Sequence, residues 1–111
     1  PSQFFSDLLP LIDDLAELKV TLFCMWALQQ KEGDYRYLRF DEFTTSDTLI
    51  KSLQAIDPSG ETSDIINPAL EKAKQRGTLL TATIKRESES VTLYFVNTPR
   101  GRDAVEQITA G

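Results

Sequence analysis

This chain holds no histidine and a single cysteine, Cys24. Histidine is the commonest metal ligand and the usual base near neutral pH. Without it, and with one thiol, neither a zinc centre nor a Ser-His-Asp or Cys-His arrangement can be assembled. Carboxylates remain, and Asp13, Asp14 and Glu17 are close enough in sequence to invite a paired-carboxylate reading. They also open an apolar helical stretch, where an N-cap and acids at the positive end of the helix dipole are ordinary features. That second reading is the simpler one. Carboxylate-only magnesium chemistry has no companion phosphate loop, because neither G-x-x-x-x-G-K-[ST] nor G-x-G-x-x-G occurs. Cys24 lies among apolar residues with no basic or capping group beside it, so it reads as a small buried hydrophobe. The sequence is therefore expected to have no catalytic residues, no metal site, no cofactor and no small-molecule substrate. It reads as a binding module and not as an enzyme.

The remaining chemistry is electrostatic. The net charge of −5 argues against a strongly basic nucleic-acid binder. The charge is uneven, however. Residues 1–54 carry 5 basic and 9 acidic side chains, whereas residues 55–111 carry 7 and 8. A local basic patch can attract phosphate on an acidic domain. The candidate DNA-contacting residues are Asn67, Lys72, Gln75, Arg76, Lys85, Arg86, Arg100 and Arg102. The competing reading of Lys72, Lys74 and Arg76 is a solvated face whose bases favour the negative end of a helix dipole. Asn67 reads more simply as a cap.

The elements that would position these groups follow from pattern. Residues 3–12 form a short apolar segment interrupted at Pro10. Asp13 or Asp14 caps a helix over about residues 14–31, with Leu15, Leu18, Leu22, Met25, Trp26 and Gln29 at three- and four-residue steps. Val20, Phe23 and Ala27 widen that face, so the helix is expected to be central and Trp26 to lie in the core. Gly33 is expected to end it. Residues 35–40 read as a short strand. A helical region opens at residues 41–43, and Ser46 caps a helix bearing Leu49, Ile50 and Leu53. Asn67 and Pro68 read as the cap and first position of a helix ending at Gly77. If that helix instead began near Ser63, Pro68 would kink it. Strands 79–86 and 91–96 alternate, with Leu80, Ala82 and Ile84 facing the same way as Val91, Leu93 and Phe95, and residues 87–90 at the hairpin tip. A last helix runs over about 102–108 with Ala104, Val105 and Ile108 inward.

The fold class is thus α+β. Without the additions at its ends the order is helix–strand–helix–helix–strand–strand, which is that of a winged helix. A single domain over 1–111 divides into an apolar extension (1–12), a winged-helix core (14–98) and a closing helix (99–111).

On particular residues the chain resembles the N-terminal winged-helix domain of DnaD-like primosome proteins, which act in bacterial replication initiation and restart. They are Leu15-Ala16-Glu17-Leu18-Lys19-Val20-Thr21-Leu22 with Trp26-Ala27-Leu28, and Ala69-Leu70-Glu71-Lys72-Ala73 with Arg76-Gly77-Thr78-Leu79-Leu80. Residues Tyr94 to Arg102 fit as the link from wing to closing helix. The resemblance covers about residues 3–110. It implies self-association as the main role, with DNA contact as a second one and other replication proteins as partners. The family's separate C-terminal helical domain does much of its DNA binding. It has no counterpart in these residues, so the resemblance implies a fragment or a shortened relative. Two alternatives stay open: a winged-helix transcription regulator that places helix 67–76 in the major groove, and a purely protein-interacting winged helix.

Phe4, Phe5, Leu8, Leu9 and Ile12 are the candidate interface of a homodimer or higher oligomer. Packing on their own domain is the equal alternative. No apolar run approaches the roughly 20 residues that cross a bilayer, so no membrane partner is expected. The lone cysteine fits a reducing, cytoplasmic setting.

Overall fold

The computed structural model describes residues 3–110. Five α-helices and a three-stranded antiparallel sheet make an α+β domain in which helices cover both sheet faces. Helix α1 spans Leu15–Gln29, β1 Leu38–Arg39, α2 Phe40–Thr44, α3 Asp47–Gln54 and α4 Thr62–Arg76. Strands β2 (Leu79–Arg86) and β3 (Glu89–Val96) follow, then α5 (Pro99–Ala110). Before α1, a π-helical turn over Phe4–Leu8 and a 3-10 turn over Leu9–Leu11 form the N-terminal segment. The strand order is β1-β3-β2.

The sheet register follows from the alternation of the sequence. Leu80 faces Phe95, Ala82 faces Leu93 and Ile84 faces Val91. With Tyr37 and the inward residues of α5 (Ala104, Val105, Ile108) these side chains make one apolar cluster. The opposite face of the hairpin turns Leu79, Tyr94 and Val96 toward the main core, which α1 to α4 build from Val20, Cys24, Leu38, Phe43, Leu49, Leu53, Ile66 and Leu70. The hairpin tip is tighter than expected. The strands pair out to Arg86 and Glu89, so only Glu87 and Ser88 lie between them, and Glu87 takes a positive φ of 54°. Such tight hairpin turns match the strand twist through residues with φ above zero.

Several boundaries differ from those expected. The strand over 35–40 shrinks to Leu38–Arg39, because Phe40 already opens α2, where the Glu42 carboxylate accepts from the Arg39 amide at 2.8 Å. Helix α1 closes at Gln30 and not at Gly33, which sits beyond it in the loop. Helix α4 begins at Thr62, five residues before the predicted Asn67 cap, and carries Pro68 inside it. Pro68 lacks the amide that would bond the carbonyl one turn earlier. Asn67 is therefore not a cap; its side-chain amide donates back to the Ser63 carbonyl at 3.1 Å. The stop signal holds, with Gly77 left-handed at φ 88°, donating to the Ala73 and Lys74 carbonyls. The final helix runs Pro99–Ala110, beyond the 102–108 stretch read from the apolar pattern and close to the 99–111 bounds of the closing helix.

Helix α1 turns the opposite way from its expected orientation. Its buried residues are Glu17, Val20, Thr21, Cys24 and Leu28, while Trp26 is 54% exposed and Leu15 55%. The reason is steric. α1 makes its most extensive helix contact with α4, whose inward residues include Ala69 and Ala73. Two helices approach closely where side chains are small, and Val20, Thr21 and Cys24 are the smaller side chains among those that α1 buries. Trp26 and Leu22 are too large for that seam and lie outside it.

Candidate binding surface

The candidate basic residues divide into three groups in space. The first is on α4, and its bases are turned to internal use. Arg76 donates from Nε to Glu17 Oε2 at 2.6 Å and from Nη2 to Glu17 Oε1 at 3.0 Å. The same guanidinium donates from Nη1 to the Leu11 carbonyl at 2.7 Å and from Nη2 to Asp13 at 3.3 Å. Glu17 is fully buried. A buried carboxylate persists only when it is paired and hydrogen-bonded, and the fork geometry of arginine suits a carboxylate held by both oxygens. One turn earlier, Lys72 donates to Asp14 at 2.5 Å. That hydrogen bond, followed by the one from the Glu17 amide, holds the Asp14 carboxyl below its usual range, and in return it raises the Lys72 ammonium. Asp14 thus does act as the predicted cap of α1, accepting from the Glu17 amide at 2.8 Å. Glu17 itself is not a dipole-placed surface acid. It is the buried half of a clamp joining α1, α4 and the N-terminal segment.

The second group lies along α4 and the hairpin. Asn67, Glu71 and Lys74 form one wall of a groove whose other wall is Thr81, Thr83, Thr92 and Tyr94. Burial, and then the charge of Glu71, raises the Tyr94 hydroxyl. Gln75 is exposed on α4. Lys85 and Arg86 are exposed near the hairpin tip, and Lys74, Lys85 and Arg86 have no acidic partner within ion-pair distance among the described residues. In the third group, Arg102 lines one cavity together with Arg76 of the first. Arg100 and Arg102 stand on the first turn of α5, where Arg102 donates to Asn97 Oδ1 at 2.8 Å. Arg100 and Arg36 line a cavity with Met25, Leu28, Val96 and Ala104.

The N-terminal apolar candidates are also divided. Phe4 is buried against its own domain, at 4% exposure, and lines a cavity with Leu8 and Met25. Phe5 stays 55% exposed, while Leu8, Leu9 and Ile12 are half-buried. A further apolar surface lies on α1, formed by side chains that the pattern places in the core. Leu15, Leu22 and Trp26 lie at steps of seven and four residues, within about 40° of arc on a helix of 3.6 residues per turn. All three are exposed. Leu18 and Met25, half-buried, flank them on one side. The sequence carried a signal for this, because α1 holds two apolar phases, one with Leu15, Leu22 and Trp26 and one with Val20, Cys24 and Leu28.

Cys24 is fully buried, and burial, with the nearby Glu42 charge, pushes its thiol up to about 12. It is a core residue, as expected. Among the described residues no group of three or more histidine, cysteine or acidic side chains is placed to hold a metal ion, and no helix is long and apolar enough to cross a membrane. No family model, no curated protein and no solved structure matches the chain.

Proposed function

We propose that this chain is a non-enzymatic winged-helix module whose task is protein assembly, of the kind found in DnaD-like replication and primosome proteins. Three features support the reading. The element order, with a three-stranded sheet ordered β1-β3-β2, is compatible with a winged helix in which α4 is the recognition helix and β2–β3 the wing. The two bases best placed on that helix, Lys72 and Arg76, are spent on Asp14 and Glu17 of the same molecule. The carrying observation is the exposed apolar face of α1 at Leu15, Leu22 and Trp26. A contiguous apolar strip of this kind on a small acidic domain marks an interaction surface. Sequence resemblance, on the α1, α4 and wing residues named above, supplies the replication setting.

DNA contact is the second reading. It is favoured by the unpaired Lys74 beside Asn67 in the groove facing the sheet, with Lys85 and Arg86 further along the hairpin. Gel-shift titration with duplex and single strands at low and physiological salt separates the two, because phosphate binding weakens steeply with salt and apolar association does not. The assembly reading expects the chain to be larger than a monomer at both salt concentrations. A chain that is monomeric but retards DNA at low salt would reverse the order of the two readings.

A further inference from the structure

We infer that this domain also binds a small molecule: a free α-amino acid with an apolar side chain, held in the cavity between the end of α1 and the start of α5. The cavity is about 170 Å³. Its floor is apolar, built from Met25 and Leu28 of α1, Val96 at the end of β3 and Ala104 of α5. Met25, Leu28 and Gln29 share one side of α1 because residues three and four apart are neighbours on a helix. Gly101 lets α5 begin against β3, since a Cβ there would stand 1.9 Å from the Val96 carbonyl oxygen. The site shares with the apolar face of α1 only the flanking Met25.

Charge selects the head of the ligand. Arg36, from the loop after α1, and Arg100, from the first turn of α5, both border the cavity. Arg36 donates from Nε to the Gly33 carbonyl at 3.4 Å. Neither guanidinium has an acidic partner within ion-pair distance among the described residues. Two unpaired guanidiniums at one opening repel each other, and a carboxylate is the planar anion that arginine donors fit. The first turn of α5 adds the positive end of a helix dipole. A plain carboxylic acid would leave one charge unused. Asp34 lines the same cavity, is exposed, and has no basic partner within ion-pair distance among the described residues. A carboxylate there repels a simple anion and attracts an ammonium. The last turn of α1, with Gln29, supplies the negative end of a second dipole. Two bases, one acid and an apolar floor match the carboxylate, ammonium and side chain of a single zwitterion. A peptide end carries one of these two charges beside its terminal residue, not both.

Size limits the side chain. A cavity of about 150 Å³ lined by aliphatic and aromatic groups takes benzene, so the side chains of leucine, methionine and phenylalanine fit and that of tryptophan does not. The rim charges are open to water, where each pair contributes little, so a dissociation constant on the order of a millimolar or somewhat below is expected.

Amide NMR of the isotope-labelled chain, titrated with leucine, tests this. Leucine should shift amides within residues 25–36 and 96–104 and leave the hairpin tip unmoved. Isocaproate, which lacks the ammonium, and leucinamide, which lacks the carboxylate, should each bind about threefold to tenfold more weakly. R100Q and D34N alter exposed side chains, so both variants should fold. R100Q should weaken leucine; D34N should weaken leucine and leave isocaproate bound as tightly as before or more so. The absence of localised shifts up to about 10 mM leucine, or shifts centred elsewhere, would overturn the site. Isocaproate binding as tightly as leucine, or leucine binding unchanged in D34N or in R100Q, would overturn the amino-acid assignment.

Discussion

At the scale of single residues, the Glu17–Arg76 pair decides how α4 can be used. Arg76 would be a natural phosphate contact if it were free, but the guanidinium closes over a buried carboxylate and a backbone carbonyl. Replacing Arg76 by Ala leaves the Glu17 carboxylate buried and unpaired, a change that generally costs about 3–5 kcal/mol. Urea unfolding should show R76A among the least stable single variants, whereas K74A should unfold like the parent. This departs from the sequence expectation, in which these bases are exposed and dispensable to the fold. Thr21 argues in the other direction. Its hydroxyl is fully buried and has no hydrogen-bond partner among the described residues. An unsatisfied buried group costs about 1–3 kcal/mol, so T21V should stabilise the domain by about 1 kcal/mol, and a thermal melt should rise by about 4–8 °C. The acids fix the pH response. Lys72 and then the Glu17 amide depress the Asp14 carboxyl. At Glu42 burial pushes upward, but Lys31 and the Arg39 amide outweigh it and the net shift is downward. Carboxyls depressed in the folded state stabilise it above their unfolded value near 4, and that stability is lost as pH falls through the folded value. Urea midpoints should therefore be level from pH 7 to about 5 and drop below about 4.

At the scale of elements, the hairpin and α1 show what a sequence can and cannot tell. The pairing of Leu80 with Phe95, Ala82 with Leu93 and Ile84 with Val91 is legible because a period of two has only two phases, and polar residues mark the wrong one. α1 offers no such contrast. It is apolar nearly all round, so the large residues at 15, 22 and 26 read as a core face, although the buried phase is that of Glu17, Val20, Thr21, Cys24 and Leu28. The start of α4 is hidden for a different reason: Asn67-Pro68 carries the chemistry of a helix entry, yet packing of Ile65 and Ile66 extends the helix about one and a half turns before it. Pro68 then sits inside a helix without an amide to donate, and it is exposed. P68A should restore the missing bond and raise stability by on the order of 1–3 kcal/mol, read by urea unfolding. Of the binding surface, the bases were legible as residue types but their partners were not. Glu17 and Arg76 lie 59 positions apart, and no local pattern announces a contact at that distance.

At the scale of the whole molecule, the account turns on where the binding energy resides. Acids outnumber bases by five, and Lys72 and Arg76 of α4 are held by Asp14 and Glu17 of the same molecule. Three of the exposed large apolar side chains, Leu15, Leu22 and Trp26, gather on the outer side of α1. Sedimentation velocity of the intact chain at tens of micromolar, in low and in high salt, beside the L22K/W26K variant, is the most direct test. Both substituted positions are at least 40% exposed, so the variant should fold. The parent should sediment as a dimer or larger species in both salts, and the variant as a monomer with an unchanged circular dichroism spectrum. A parent that sediments as a monomer, or a variant that associates as strongly as the parent, would contradict the claim that α1 is the surface this protein uses.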